Sequence, residues 1–262
     1  KSFTLITAAA AQWHDLELLK SNVLSGMDVK IVDKSENFST FIVTGPNSRS
    51  LLSEITDADL TLGWLTHQKA KVLDIPCMLA RVSFAGELGW EIHVNNEDAP
   101  AIYSEIINKE AKPFGMFALN SLRIEKGYKA WKGDLSTDYS LLEAGLNRFI
   151  KFDKEVDFRG RKALQVEQQR GSKKLFTILK VNTNGCDAPY MSTVWHNGEV
   201  VGEVTSGAWG YRVNSSIALC MLKPELSKAG KVVEIEIYGQ RCKATVHGQD
   251  PLWDPQNLRI RK

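Results

Sequence analysis

The sequence predicts an α+β protein whose mixed first part is followed by a small antiparallel β-barrel or sandwich. Two observations carry this prediction. Before residue 152, segments with apolar residues at helical spacing alternate with segments of strand-like alternation. Within residues 173–262, six short strand-like runs follow one another, which is typical of a small barrel or sandwich. We therefore predict a first domain at 1–152, a connector at 153–172 and an all-β domain, a barrel or a sandwich, at 173–262.

The elements of the first part follow from the local pattern. Residues 2–7 are strand-like from the first position, so we expect the chain to begin inside a larger protein. Pro76-Cys77 is expected to separate two strands, and Ser48 to cap a helix. In chain order, the prediction is a strand at 2–7, a helix at 8–24, strands at 29–33, 41–44, 72–75, 78–84 and 90–94, and helices at 49–55, from Asp98 onward and at 119–126.

The second part is predicted to be all strand. Residues 151–174 are charged and are expected to form a solvated connector. Asn197-Gly198 favours a two-residue type I′ hairpin, because both positions need a positive φ. Gly239-Gln240 is expected to form a second hairpin. The predicted strands are 174–181, 193–196, 199–204, 217–222, 232–238 and 241–246.

Composition excludes several classes of function. The chain has 262 residues, 43% hydrophobic and 24% charged, and a net charge of +2, which gives no nucleic-acid-binding surface. No apolar run reaches the roughly 18 residues that a membrane span needs. The four cysteines and five histidines have no metal-ligand spacing, so no metal is expected. Scattered free thiols indicate a reducing compartment, the cytoplasm or alternatively the mitochondrial matrix.

Common catalytic motifs are also missing from the sequence. No G-x-G-x-x-G follows a strand, so no dinucleotide site is predicted in this chain. There is no G-x-S-x-G elbow and no H-E-x-x-H helix. Because these motifs are missing, the sequence does not show the dinucleotide-binding, hydrolase or metalloprotease pattern.

One short segment can bind a flat polar ring. Phe84 to Ile92 reads FAGELGWEI, in which two glycines allow close approach to something flat and Glu91 lies beside Trp90. A carboxylate accepts two parallel N–H bonds from a pterin or guanine edge. The same residues are also compatible with an ordinary hairpin turn bearing two exposed acids. Likewise, Arg123 and Glu125 could be a surface ion pair.

Four segments, taken together and in their order along the chain, favour the ligand-binding interpretation. GELGWE, LNSLRIEKGY, LEAGL with DFRGRKAL, and GEVTSG resemble the folate-binding family of the glycine-cleavage T-protein over essentially the whole chain. KGYKAW, TDADL and DPLWDP make it most similar to the C-terminal half of dimethylglycine and sarcosine dehydrogenases. The resemblance implies a folate-binding aminomethyltransferase-type core, lacking its N-terminal part, before the barrel. It also implies tetrahydrofolate as a ligand and an FAD-containing dehydrogenase half elsewhere in the parent chain.

The resemblance also implies the binding residues. Glu91 matches the family's pterin-binding glutamate, and Phe84 matches an aromatic that flanks the ring, where related members usually have Tyr. Tyr128 and Trp131 match residues that line the cavity, and Leu119 stands where the T-protein has an arginine. The family's catalytic aspartate would precede residue 1, so no catalytic residue is assigned.

The implied function is capture of a methylene unit as 5,10-methylenetetrahydrofolate. Two alternatives remain open at this point. One is a stand-alone glycine-cleavage-type aminomethyltransferase or related methyltransferase, and the other is a non-catalytic folate-binding scaffold.

Overall fold

The computed structural model describes residues 1–183 and 185–262. These residues form two compact units, which are described separately. The first unit contains residues 1–83 and 88–113, and the second contains residues 84–87 and 114–262. The predicted domain boundaries at 152 and 173 stay a prediction.

The first unit contains one four-stranded antiparallel sheet and three α-helices. The strand order is β1–β4–β3–β2. Short 3₁₀ turns at Ala9–Ala11 and Ser35–Asn37 accompany these elements. The helices are α1 (Gln12–Ser21), α2 (Ser48–Ser53) and α3 (Ala99–Asn108), and the strands are β1 (Phe38–Thr44), β2 (His67–Val72), β3 (Ile75–Ala80) and β4 (Gly89–Asn95).

Only one face of this sheet belongs to the core of the unit. Trp90, Ile92 and Val94 of β4 are buried in the same apolar cluster as Ile102 and Ile106 of α3. Successive strand residues point to opposite faces, so Glu91 and His93 lie on the face that does not bury this cluster.

Several predictions for the first unit are wrong. Residues 2–7 and 29–33 form no strand, because alternation supplies β propensity but a strand also needs a paired neighbour. The turn before β3 lies at Leu73 and Asp74, whose φ angles are 54° and 64°, and not at Pro76-Cys77. Pro76 lies within β3 at a point where that strand pairs with β2 alone, which is where a missing N–H is tolerated. The predicted helix at 8–24 is confirmed over its centre as α1.

The second unit is built around a closed six-stranded antiparallel barrel, as predicted. The strand order around the barrel is β10–β5–β8–β7–β6–β9. Helix α4 (Met116–Glu125) packs against β7 and β8. The strands are β5 (Leu175–Val181), β6 (Thr193–His196), β7 (Glu199–Gly210), β8 (Ser215–Leu222), β9 (Val232–Ile237) and β10 (Gln240–Gly248).

The two hairpin predictions have different outcomes. Asn197 and Gly198 have φ angles of 51° and 82°, which confirms a type I′ turn between β6 and β7. The second turn lies one residue earlier than predicted, at Tyr238-Gly239, where φ is 47° and 80°. The register of β9 with β10 starts at the pair Ile237–Gln240, so Gln240 belongs to the strand.

The predicted connector contains a helix. Helix α5 (Arg161–Arg170) buries Leu164 and Glu167. The Glu167 carboxylate accepts hydrogen bonds from the hydroxyls of Ser140 (2.7 Å) and Ser172 (2.6 Å). The charged composition is therefore compatible with a helix that packs on one side. Among residues 1–183 and 185–262, no helix is long and apolar enough to cross a membrane.

Candidate functional site

Glu91 is held in the middle of β4 in the first unit. It pairs directly with Ile42 of β1 and Ala80 of β3, so a neighbouring strand fixes its backbone on each side. Its side chain keeps 22% of its surface exposed. A rigid strand therefore presents a half-buried carboxylate, which is a suitable acceptor for paired N–H donors.

Trp90 does not share a face with this carboxylate. Its ring is 1% exposed and lies in the core cluster, with the Arg81 guanidinium 4.6 Å from the ring centroid. Burial, and next the charge of Arg49, lower the pKa of Arg81. Because adjacent strand residues point in opposite directions, Trp90 lies beside Glu91 in the sequence but provides no aromatic surface on the face of Glu91.

The two glycines of the GELG segment serve contacts within the protein. A side chain at Gly86, whose φ is 72°, would come within 2.8 Å of the Lys126 side chain. A side chain at Gly89 would lie 3.0 Å from the Thr44 hydroxyl and 3.1 Å from the Val43 carbonyl oxygen. Close backbone packing therefore explains both glycines without a ligand.

Phe84 and Tyr128 come together in the second unit. Their ring centroids are 6.1 Å apart and the rings are nearly parallel, at 14°. The Tyr128 hydroxyl is buried and has no hydrogen-bond partner among the described residues. Burial raises the pKa of this phenol. The pair thus brings together two stacked rings and a phenol hydroxyl whose hydrogen bond is not satisfied among the described residues.

The other two predicted site residues lie close to Tyr128 in sequence. Leu119 is buried in α4, one turn before Arg123. Trp131 is half-buried and forms an isolated bridge with Leu135 in the loop after α4. The structure describes no metal-binding cluster of three or more acidic, His or Cys groups in residues 1–183 and 185–262.

Sequence reasoning missed a buried polar cluster that fixes this loop. Asp134 is fully buried and accepts four hydrogen bonds. Its carboxylate accepts from Arg123 Nη1 (2.6 Å), the Ala130 backbone N–H (2.9 Å), the Thr205 hydroxyl (2.6 Å) and the Ser206 hydroxyl (3.0 Å). The surface-ion-pair interpretation of Arg123 is therefore wrong. The LRIEKG and GEVTSG segments contain the residues of this cluster that contact Asp134 from α4 and β7. The sequence does not show that the two segments lie together.

A cleft of about 620 Å³ opens beside this cluster. Its lining includes Arg123, Ser206 and Gly207. All hydrogen-bonding nitrogens of Arg123 already donate within the protein, to Asn120, Tyr128, Asp134 and Ser206. The guanidinium therefore acts as a structural group and not as a ligand-binding one.

Lys129 is a half-buried lysine whose titration can be measured. Its Nζ lies 3.8 Å from the Phe176 ring centroid. Burial lowers the pKa of Lys129 from 10.5 to about 8; Asp134 raises it and Arg148 lowers it further. The unfolded chain therefore binds more protons between about pH 8 and 10.5. The cost of burying the charged amine decreases as the pH rises through that window, so the free energy of unfolding increases.

We expect Lys129→Met to remove this contribution. The difference in free energy of unfolding between wild type and variant should change by up to about 3 kcal/mol between pH 8 and 10.5. Urea denaturation at several pH values measures it. Lys132→Met, at an exposed lysine of the same loop, is the control. Parallel profiles for wild type and Lys129→Met would contradict the assignment.

The comparison with known families agrees with this architecture. The GCVT N-terminal domain family matches residues 1–154, and the glycine cleavage T-protein C-terminal barrel domain family matches residues 173–254. This chain belongs to the glycine cleavage T-protein family. The resemblance predicted from the four sequence segments is thereby confirmed.

Relatives of this T-protein family member include two kinds of dehydrogenase. Mitochondrial dimethylglycine dehydrogenase of Rattus norvegicus is 36% identical over 270 residues, which cover 99% of this chain and 31% of the relative. Mitochondrial sarcosine dehydrogenase of Mus musculus is 33% identical, covering 88% of this chain and 27% of the relative. The chain thus spans less than a third of these relatives' length.

A second group of relatives consists of aminomethyltransferases. That of Thermosipho melanesiensis is 30% identical, covering 94% of this chain and 67% of the relative. The solved structure of glycine cleavage system aminomethyltransferase T from Bartonella henselae has a TM-score of 0.83 at 22% identity. It covers 92% of this chain and 66% of that structure, and it shows that the two share a fold.

Proposed function

We propose that this chain is the tetrahydrofolate-binding, one-carbon-transfer portion of a dimethylglycine or sarcosine dehydrogenase-like protein. The observation that carries the proposal is the position of Glu91, a half-buried carboxylate on a rigid central strand, within the GELGWE motif. The identity to dimethylglycine dehydrogenase over 99% of the chain supports it.

The proposed binding mode assigns one role to each residue. Glu91 accepts two parallel N–H bonds from the pterin. Phe84 packs against the pterin ring. The stacking of Phe84 on Tyr128 fixes the plane of the Phe84 ring. Tyr128, Trp131 and Leu119 are assigned to folate binding on the family resemblance alone. Where related members have Tyr, Phe84 retains the ring but donates no hydrogen bond.

The proposed reaction is transfer of a methylene unit to folate nitrogen. An N-methylene iminium, CH₂=N⁺R₂, is attacked by the tetrahydrofolate N5, and N10 then closes the five-membered ring. The C–N bond to the amine breaks, and the amine leaves as R₂NH₂⁺ with the two protons released from N5 and N10. Holding the two partners together provides the rate gain, since no catalytic side chain is assigned in this chain.

The flavin chemistry is assigned to another part of the parent protein. FAD supplies the oxidation of the N-methyl group when it is bound. This chain has no G-x-G-x-x-G sequence, so its residues do not fit that cofactor. The proposed partners are therefore folate and an FAD-containing half of the same parent chain. We include the domain boundaries 1–152 and 173–262 in this proposal.

A reducing compartment is part of the same proposal. The four cysteines, all in described residues, are free thiols. The two dehydrogenase relatives are named as mitochondrial, which supports the mitochondrial matrix over the cytoplasm. Fractionation of cells that produce the protein tests this choice.

A second candidate function is stand-alone aminomethyl transfer. The aminomethyltransferase of Thermosipho melanesiensis, 67% of which this chain covers, favours it. That function requires an aminomethylated carrier as donor, whereas the dehydrogenase-like function requires an iminium from the flavin half. Assaying the parent protein for formation of 5,10-methylenetetrahydrofolate from dimethylglycine or sarcosine without a carrier distinguishes the two.

We expect Glu91→Gln to weaken tetrahydrofolate binding by about 100-fold. The substitution keeps the size of the side chain but removes the charge and one acceptor from a pair of charge-assisted hydrogen bonds. The expected loss of binding free energy is about 3 kcal/mol. Calorimetric titration under anaerobic conditions measures the dissociation constant.

The matched control for this experiment is Glu97→Gln. Glu97 is exposed in the turn after β4, so its substitution should leave affinity unchanged. Affinity of the Glu91→Gln variant within a factor of two of the wild type would rule out the proposed function, as would the absence of binding by the wild-type chain.

A further inference from the structure

We propose that His93 is a positioning residue for Glu91 and holds its carboxylate in the orientation that the pterin N–H groups require. The inference rests on the proposed function, because it concerns the same carboxylate. It adds a residue that no sequence motif indicated, and it assigns Thr40 the role of orienting the imidazole.

The strand register brings these three side chains together. His93 follows Glu91 by two residues in β4, so the two side chains share one face of the sheet. Thr40 of β1 pairs directly with His93. Cross-strand partners on the same face have neighbouring side chains, so the row Thr40–His93 lies next to the row Ile42–Glu91. The arrangement is thus fixed by the backbone of two paired strands.

The contacts connect the three side chains in a chain. Thr40 Oγ1 lies 2.9 Å from His93 Nδ1. On the other side of the ring, His93 Nε2 lies 3.2 Å from Glu91 Oε2. For the neutral ring we assign the hydrogen to Nε2, because the carboxylate faces that nitrogen and favours a donor there. The Thr40 hydroxyl then donates to Nδ1.

The close approach of Nε2 to Glu91 is not aligned as a hydrogen bond. His93 Nε2 is buried, and within residues 1–183 and 185–262 it has no partner that satisfies hydrogen-bond geometry. The imidazole therefore restrains the carboxylate electrostatically and by contact, without occupying its lone pairs in the direction of a ligand. Only 11% of the His93 side chain is exposed, so the surrounding residues restrict rotation of the imidazole.

A purely structural role for His93 predicts a different result from a positioning role. If His93 only fills space, its replacement changes stability and leaves the intrinsic affinity for folate unchanged. If it acts through Glu91, its replacement weakens binding only while Glu91 is present. A double-mutant cycle in binding free energy separates the two.

The experiment measures the tetrahydrofolate dissociation constant for wild type, Glu91→Gln, His93→Leu and the double variant. We expect His93→Leu to bind tetrahydrofolate about tenfold more weakly, because the Glu91 carboxylate loses the electrostatic and steric restraint of the imidazole. The double variant should bind no more weakly than Glu91→Gln alone. His93→Gln retains a donor near the Nε2 position and should stay within about threefold of the wild type.

If His93→Leu does not fold, a second test variant and a control variant still test the proposal. Thr40→Val removes the hydroxyl that orients the ring and should weaken binding by about threefold. His67→Gln is the matched control: His67 lies on the same face of the sheet, opposite Ala80, but is exposed and two strands away from Glu91. It should have no effect. Thermal denaturation confirms that every variant is folded at the titration temperature.

The outcomes separate the two proposals. Weak binding by Glu91→Gln together with unchanged binding by His93→Leu overturns the positioning role and leaves the proposed function intact. Additive losses in the double variant overturn it as well, because His93 would then act independently of Glu91. Unchanged binding by Glu91→Gln overturns both.

Discussion

Asp134→Asn should destabilise the second unit by about 3–5 kcal/mol. Asp134 is fully buried, and Arg123, its ion-pair partner, is 3% exposed. Burial lowers the pKa of Arg123, and the charge of Asp134 raises it, so the carboxylate is what keeps a desolvated guanidinium compatible with the fold. Breaking such a pair by neutralising one partner leaves an uncompensated buried charge.

The asparagine would also present the wrong hydrogen-bond chemistry. Both carboxylate oxygens accept in the wild type, one from Thr205 and the other from Arg123, Ala130 and Ser206. An amide has one acceptor, so its NH₂ group would face a donor. The substitution preserves volume, so the effect measures charge and acceptor loss and not a cavity.

Urea denaturation followed by circular dichroism measures this free energy of unfolding. The control is Asp138→Asn, an exposed aspartate in the same loop whose carboxylate accepts from Ser136, and we expect less than about 1 kcal/mol there. The pair replacement Arg123→Met with Asp134→Leu should recover much of the lost stability, because it removes both buried charges. A loss below about 1 kcal/mol for Asp134→Asn would contradict the cluster's role.

Arg212→Met should cost a similar amount, about 3–5 kcal/mol. The guanidinium donates from Nε to Glu125 and from Nη1 to Glu87 (2.7 Å), and Nη2 donates to the carbonyl oxygen of Leu122 (2.7 Å). Glu125 is fully buried, and the guanidinium lies 4.7 Å from the Trp253 ring centroid. Without it, the fully buried Glu125 carboxylate would lose its ion-pair partner.

Arg212→Lys distinguishes geometry from charge. A lysine keeps the positive charge but is a point donor. It therefore cannot serve Glu87, Glu125 and the carbonyl oxygens of Leu122 and Ala85 (3.3 Å from Nη2) in fork geometry. We expect it to recover less than half of the loss. The control is Arg241→Met: Arg241 also lies over a tryptophan, Trp195, at 3.6 Å, but its ion pair with Glu236 is exposed and contributes less than about 1 kcal/mol. Equal losses at Arg212 and Arg241 would contradict the prediction.

The interpretation of Glu125 shows where reasoning from the sequence ends. As part of LRIEKGY it was compatible with a surface acid, because it lies at a polar position of an amphipathic helix. In the structure it is fully buried because Arg212, far away in sequence between β7 and β8, reaches it. Helical periodicity indicates which face of a helix is apolar, but it does not show whether a polar residue has a buried partner.

The errors in the strands have the same origin. Residues 29–33 alternate as well as β1 does, yet only β1 has a partner, β4, with a register that runs from Phe38 to Thr44. Three of the six barrel pairings, β6–β7, β7–β8 and β9–β10, join consecutive strands, and Asn197-Gly198 forms one of these turns. The other three, β5–β8, β5–β10 and β6–β9, join strands that are distant in sequence. Local pairing is encoded locally, whereas pairing between distant segments is not.

By itself the sequence determined the α+β class, the barrel, the family and the identity of Glu91 as the candidate ligand-binding carboxylate. Short-range patterns and ordered motifs suffice for these. Only the tertiary structure decided which face of β4 Glu91 occupies, that Thr40 and His93 lie beside it, and that Arg123 and Glu125 are buried with Asp134 and Arg212. The reason is physical: a buried polar group is stable only with its hydrogen-bond partners, and those partners come from segments that the chain brings together only on folding.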